Sequence, residues 1–491
     1  MKTIAFQSNG KHGKMEKVDD YTVRFVFPVA NYLFPGLLAG SGGVGGPSMQ
    51  GRYGYGLYCP AHYLKQFLPK YVSEDRLNAL AKEQGFPTWT RMFFTRNDWA
   101  LNPDLPGLTP WILKTPINRP IFSLERNPYS IWVDRAGNQL PYIDNVQFTL
   151  AEDLEVINLR AIAGQYDWQA RHLQLAKLPV FLQHQKAGGY KVHLDPGSHG
   201  ADMMVVFNHS YDKDPEIAKW MGNVEFRRAL ALGIERDEMN QIFWLGIGEP
   251  RSLVPSDDNP YHPGPEYNRR WATFEPDRAN AMLDKLGLTR KDGEGFRLRT
   301  DGGGRLRLEM MVYAGSGMPY AQMSELVRSH WRDIGIDLQI NEVERSLGES
   351  RVSANEHQLY AFVGDGSDHI FSFPNTILPI YAGASSGPEW GKWAASNGTQ
   401  GRRPAPWMVK VIENFKRCFM LNDEERVPVA KEMWALLIDN VHAIGTVGLS
   451  PAFMGVRVVK NNMGNVPARQ YSSPDVRTPS ISKVMTVYFK T

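Results

Sequence analysis

Residues 224–262, VEFRRALALGIERDEMNQIFWLGIGEPRSLVPSDDNPYH, and 263–288, PGPEYNRRWATFEPDRANAMLDKLGL, decide how the rest of the chain is read. In the second part Ala279, Met282, Leu283 and Leu286 recur at three- and four-residue spacing. Pro276 suits a first helical turn and Gly287 the position after the last, so an amphipathic helix packed on something larger is expected. In the first part Phe226, Ala229, Leu230 and Ile234 mark one apolar face, with Arg227, Arg228 and Glu235 elsewhere around the turn. A second helix is expected to restart at Asp237, a good N-cap residue. Alone, these helices would be scaffolding.

Downstream, RLRLEMMVYAGSG (305–317) alternates like a strand, and PYAQMSELVRSHWRDIGI (319–336) puts Tyr320, Met323, Val327, Trp331 and Ile334 on one helical face. The strand IDLQINEV (336–343) follows. Strand, helix, Gly335 and strand make a βαβ unit, whose crossover length favours parallel pairing with a right-handed connection. Upstream, VDDYTVRFVF (18–27) alternates after an Asp-Asp turn and predicts a strand ended by Pro28. The glycine-rich stretch 40–56 lacks the lysine and the strand-to-helix context of a phosphate loop, so a flexible surface loop is expected.

Composition narrows the function. A chain of 491 residues with 42% hydrophobic and 22% charged residues is long enough for two or three ordinary domains. A net charge of +3, from 55 basic and 52 acidic residues, gives no electrostatic case for nucleic acid. Every long apolar stretch is broken by Gly, Pro or charge, so no membrane span is expected, and residues 1–20 lack the apolar core of a secretory signal. Cys59 and Cys418 lie too far apart for a metal motif and read as two unpaired thiols. His193, His199 and His209 form the densest histidine group, but none has the i, i+4 spacing of a His-Glu-x-x-His site, so no metal and no cofactor is expected.

Two blocks beyond the helical segment share a pattern with it. In 224–236 the run reads Val224, Arg227 or Arg228, Ala229, Leu230, Ile234, Arg236, with Glu235 where Asp is usual. Pro276, Ala279, Leu283, Leu286 and Gly287 follow in register, while TPW (109–111), ERNPY (125–129) and VDRAGNQLPYID (133–144) precede it. Together they resemble the family-five bacterial solute-binding proteins, the oligopeptide-, dipeptide- and nickel-type receptors of ABC importers. The resemblance implies an α/β, class II periplasmic-binding-protein fold, with two separately cored lobes of mixed sheets joined by a hinge. Residues 1–95 would then be a remnant of a first-lobe subdomain, 96–208 the first lobe, 209–455 the second lobe and 456–491 the return to the first. In the family the block resembling 18–38 sits well inside the first lobe, so the first lobe is expected to be incomplete at its N-terminus and the missing signal says nothing about compartment. The implied protein is a periplasmic monomer that binds a peptide or oligosaccharide between its lobes and delivers it to the permease subunits.

For the site, the resemblance places Asp365 where peptide-binding relatives hold the ligand's α-ammonium, with Asp368 nearby. The bland alternative is an Asp in a Gly-Asp-Gly turn bonding its own backbone. Phe362, Trp390 and Trp393 offer flat apolar faces, and Trp111 a candidate for the opposite wall. The tryptophans suit a pyranose ring, and equally could plug the lobe's own core. The Trp and Tyr that flank the aspartate in peptide-binding relatives are absent here, which puts peptide specificity in doubt. A hydrolase would need a nucleophile with a base, or paired carboxylates; no nucleophile elbow is recognised and no His-Glu-x-x-His occurs, so no catalytic residue is assigned. A hydrolase acting on similar oligomers and a nonfunctional truncated remnant remain the alternatives.

Overall fold

The computed structural model describes residues 6–8, 10–39, 59–472 and 482–490; the glycine-rich stretch 40–56, expected to be a surface loop, lies outside the described residues. The helices of the opening segment form where expected: α1 spans Val224–Leu232, α2 Arg236–Trp244 and α3 Pro276–Lys285. Pro276 opens α3, and Gly287 follows it with φ of +89°. α2 starts differently from the expectation. Its cap is Glu235, not Asp237, because the Glu235 side chain accepts from the Asp237 and Glu238 N–H groups.

Two arginines of this segment are buried rather than on a solvent face. Arg227 and Arg236 are 1% and 2% exposed, buried beside Phe226, Leu230 and Ile234. Arg227 donates to the carbonyls of Met221 at 2.7 Å, Asn440 at 2.6 Å and Val441 at 3.0 Å. Arg236 donates to those of Ala231 and Ile234 at 3.0 Å each and Gly445 at 2.8 Å. Asn440 closes the helix Asp423–Asp439, and Ala231 lies in the last turn of α1. Such carbonyls have no partner within their helix, so a guanidinium fork supplies the missing donors and favours the negative end of the helix dipole.

These helices pack on a five-stranded mixed sheet of β1 (Met204–Phe207), β2 (Arg307–Tyr313), β3 (Asp337–Val343), β4 (Leu359–Phe362) and β5 (Ala443–Gly445), in the spatial order β3-β2-β4-β1-β5. β2 and β3 pair in parallel across α4 (Tyr320–Asp333), the expected βαβ unit; β2 and β4 are also parallel, whereas β1 is antiparallel to β4 and β5. Side chains alternate across the sheet. Val205, Phe207 and Met310 join Phe226, Leu230 and Trp331 on one face; Met204, Val206 and Met311 join Phe415 and Trp434 on the other.

A smaller antiparallel sheet of Trp168–Gln169, Tyr190–Leu194 and Val456–Lys460 connects to the large one through two crossing segments, 195–203 and 446–455. Three expectations change here. Met204–Phe207, assigned to a first lobe ending at 208, pairs only with strands of the second, so the crossing precedes it. The lobes are not separately cored: Phe181, Tyr190, Val456 and Val458 share one apolar cluster with β1, because the short crossings hold the small sheet against the helices of the large one. The N-terminal residues do not pack as a piece of the first lobe. Phe6, Phe34 and Leu37 are buried with Phe415 and Phe419 of the second, and the Tyr32 N–H donates to the Phe419 carbonyl at 2.9 Å. Residues 61–96 form a helical unit around Leu64, Leu77, Met92 and Phe93.

Candidate functional site between the lobes

The parallel strands β2 and β4 end at Tyr313 and Phe362, on the same sheet edge from which both crossings leave, since Phe362 pairs with Met204 and Met204 with Gly445. In open α/β sheets the carboxyl ends of parallel strands are where ligands lie. The loop 363–373 is stitched to the first crossing there. Gly364 N–H donates to the Ala201 carbonyl at 2.8 Å, and Gly200 N–H to Ser367 Oγ at 2.8 Å. The crossings also bind each other, through Gly197 N–H to Ser450 O at 2.8 Å and Leu449 N–H to His199 O at 3.1 Å. A Cβ at Gly200 would stand 2.2 Å from the Val254 carbonyl oxygen, so only glycine permits this approach.

Asp368 turns into the hinge. Ser198 Oγ donates to one carboxylate oxygen, His199 Nδ1 lies 3.6 Å from the other, and the side chains of Asp368 and His199 are 1% and 0% exposed. Burial alone would lower the His199 pKa, but Asp368 beside it, helped by Asp365 and Asp202, raises it to about 9. Burial works against the Asp368 charge too, yet the His199 imidazolium holds its carboxyl far below the usual range. Nearby, burial pushes Asp202 up to about 6 against hydrogen bonds from Ser450 and from Trp244 Nε1 at 2.9 Å. Asp365, 8% exposed, sits in a turn whose Gly366 has φ of +87°.

The aromatic candidates divide. Phe362 is half-buried at the edge, stacked on Tyr360 at 5.5 Å and 18° and within 5.9 Å of Tyr313 and 5.8 Å of Tyr320. Trp390 is 6% exposed and plugs the second lobe. It stacks on His209 at 5.1 Å, which stacks on His442 at 5.1 Å, with Trp407 edge-on to both imidazoles. Trp393 is half-buried against the same cluster. Trp111 is held in a separate sheet, Trp111–Thr115 with Ile121–Arg126 and Asn145–Thr149, where its Nε1 donates to the Ile143 carbonyl at 2.8 Å.

The three clustered histidines go to separate partners: His193 Nδ1 to the Ala468 carbonyl at 3.1 Å, His199 to Asp368, and His209 Nε2 to the His442 carbonyl at 2.9 Å. His442 Nε2 in turn donates to the Ile377 carbonyl at 2.7 Å. Burial holds His442 neutral, down to about 4, and lowers His209 well below its usual value too. Among the described residues no three His, Cys, Asp or Glu side chains converge as metal ligands, and no helix is long and apolar enough to cross a membrane. Cys418 is buried and unpaired, its thiol pushed up to about 12 by burial, whereas Cys59 is exposed.

Residues 3–386 match the bacterial extracellular solute-binding proteins, family 5 Middle. The chain belongs to that family. The family is one of binding proteins, and the mixed α/β fold described above matches that of its solved members. A curated relative, the periplasmic alpha-galactoside-binding protein of Rhizobium meliloti (strain 1021), is 24% identical over 93% of this chain; the chain spans 62% of that relative's length. The solved structure of an oligopeptide-binding protein OppA is 30% identical, with a TM-score of 0.67 over 98% of this chain and 75% of that one. The periplasmic binding protein MelB of Agrobacterium fabrum C58, in complex with stachyose, shares the fold at 18% identity and a TM-score of 0.69, over 99% of this chain and 68% of that one.

Proposed function

We propose that this protein is a periplasmic receptor of an ABC importer, that it takes a neutral oligosaccharide between its lobes, and that it releases that solute unreacted to the permease. One observation carries the choice of sugar over peptide. A peptide's α-ammonium needs an accessible carboxylate without a counter-charge; Asp368 is sealed against His199 and Ser198, and Asp365 is 8% exposed with its charge acting on the same His199. What the sheet edge offers instead is the half-buried face of Phe362, backed by the buried rings of Tyr313, Tyr320 and Tyr360, a flat apolar surface suited to a pyranose ring. Trp393, half-buried, is a further proposed wall. The names of the alpha-galactoside-binding relative and the stachyose complex support the same reading.

Uptake needs no covalent chemistry. A solute touching both lobes stabilises the closed form only as far as it binds that form better than the open one. A monomer suffices, because one chain supplies both walls. The peptide reading is favoured by the 30% identity to an oligopeptide-binding protein. Isothermal titration calorimetry separates the two: saturable heat with stachyose and none with trialanine is expected. The reverse preference would establish peptide binding, and heat from neither would overturn both readings.

A further inference from the structure

One more contact crosses between the lobes. The rings of His369 and Tyr471 lie 6.0 Å apart at 61°. His369 belongs to the loop after β4, whereas Tyr471 follows the strand Val456–Lys460, which pairs with Tyr190–Leu194 in the small sheet. Both are accessible: Tyr471 is 39% exposed and the His369 side chain 27%. Behind them lies the buried group already described. His369 Nε2 is 3.5 Å from Asp368 Oδ2, and Tyr471 shares a hydrogen bond with Ser198, the donor to Asp368.

This group is under-satisfied. Both ring nitrogens of His199, Asp368 Oδ1 and His369 Nε2 are buried without a hydrogen-bond partner. Buried polar atoms are normally hydrogen-bonded, so several without partners around one point mark a place where another polar group belongs. The accessible chemistry is an imidazole and a phenol, together able to donate and accept. The Asp368 charge behind them is already balanced by His199, so a neutral hydroxyl suits the place better than an ion.

We propose that His369 and Tyr471 form a hydroxyl-binding subsite with one wall from each lobe, so that a sugar ring seated there bridges the lobes and favours closure. This rests on the oligosaccharide reading above. The test is calorimetry with stachyose on the wild type, His369→Ala, Tyr471→Phe and His369→Gln, with urea unfolding of each. The alanine and phenylalanine variants are expected to bind about tenfold more weakly. His369→Gln, which keeps a donor and an acceptor, is expected to recover part of that loss, and all urea midpoints should stay unchanged because both side chains are partly exposed. Affinities within about twofold of wild type in both of the first two variants would overturn the subsite and leave the oligosaccharide reading standing. Losses matched by equal drops in urea midpoint would also overturn it, by showing a folding role. No heat from the wild type would overturn the subsite and the oligosaccharide reading together.

Discussion

Arg236→Met is expected to lower the unfolding free energy by about 3 to 5 kcal/mol, read as a fall in the urea midpoint at unchanged slope. Methionine fills much of the volume, so the loss is one of hydrogen bonding rather than packing. The carbonyls of Ala231, Ile234 and Gly445 would remain, buried and without their donor. Unsatisfied acceptors cost ~1 to 3 kcal/mol each, and local shifts or an entering water would recover part of the sum. Gly445 closes β5 at the point where the second crossing begins, so the same change loosens the hinge. A loss below about 1 kcal/mol would mean that these carbonyls find other donors and that the guanidinium is not what closes α1.

The second large effect is on pH. His209, His357 and His442 are buried as neutral imidazoles whose pKa lies below the unfolded value of 6.5; for His357 and His442 burial takes it to about 4. Between those values the unfolded chain binds the extra protons, so their contribution is complete above about pH 6.5 and is lost as the pH falls towards 4. At about 1.4 kcal/mol per pKa unit the loss is ~3 kcal/mol each for His357 and His442 at the limit, with His209 acting in the same direction. Asp202, raised to about 6 by burial, acts the other way and offsets roughly one of them as it protonates. His199 has the opposite sign from the three. Its pKa is raised to about 9, so its contribution is whole below about 6.5 and lost as the pH rises through 9. Urea midpoints should therefore be highest near neutrality and fall on both sides. His442→Gln, whose amide can still donate to the Ile377 carbonyl, should flatten the acid limb by about one histidine's share. An acid limb as steep as wild type in that variant would contradict the account.

What could be read from residue order was what depends on near neighbours. The alternation of 305–313, the helical face of Tyr320 to Trp331 and the return strand at 337–343 are local patterns, and the parallel pair across α4 follows from their spacing. Pro276 and Gly287 bound α3 for the same reason. Apart from the α2 cap, which moved by two residues from Asp237 to Glu235, the failures are of long range. Ser198 and Asp368 are 170 residues apart, so nothing near Asp368 announces that its carboxylate goes to the hinge. Arg227 falls off the apolar face by its spacing, and its burial could not be read because its acceptors at Asn440 and Val441 lie more than 200 residues away. Trp390 reads equally as a cleft platform or a plug until His209 is placed on its face. The packing of Phe6 and Phe34 onto Phe419 likewise has no local signature. One signal was available: an arginine set among apolar residues near the start of a helix, as Arg227 and Arg236 are, is a candidate carbonyl clamp.

The central claim is that two crossings joining a small and a large sheet act as a hinge that closes on an unreacted solute. Small-angle X-ray scattering with and without saturating stachyose tests it most directly. The account predicts a smaller radius of gyration in the presence of the sugar, with unchanged mass and with all of the stachyose recovered intact. An identical scattering curve at a concentration where calorimetry shows full occupancy, or recovery of stachyose fragments, would contradict it.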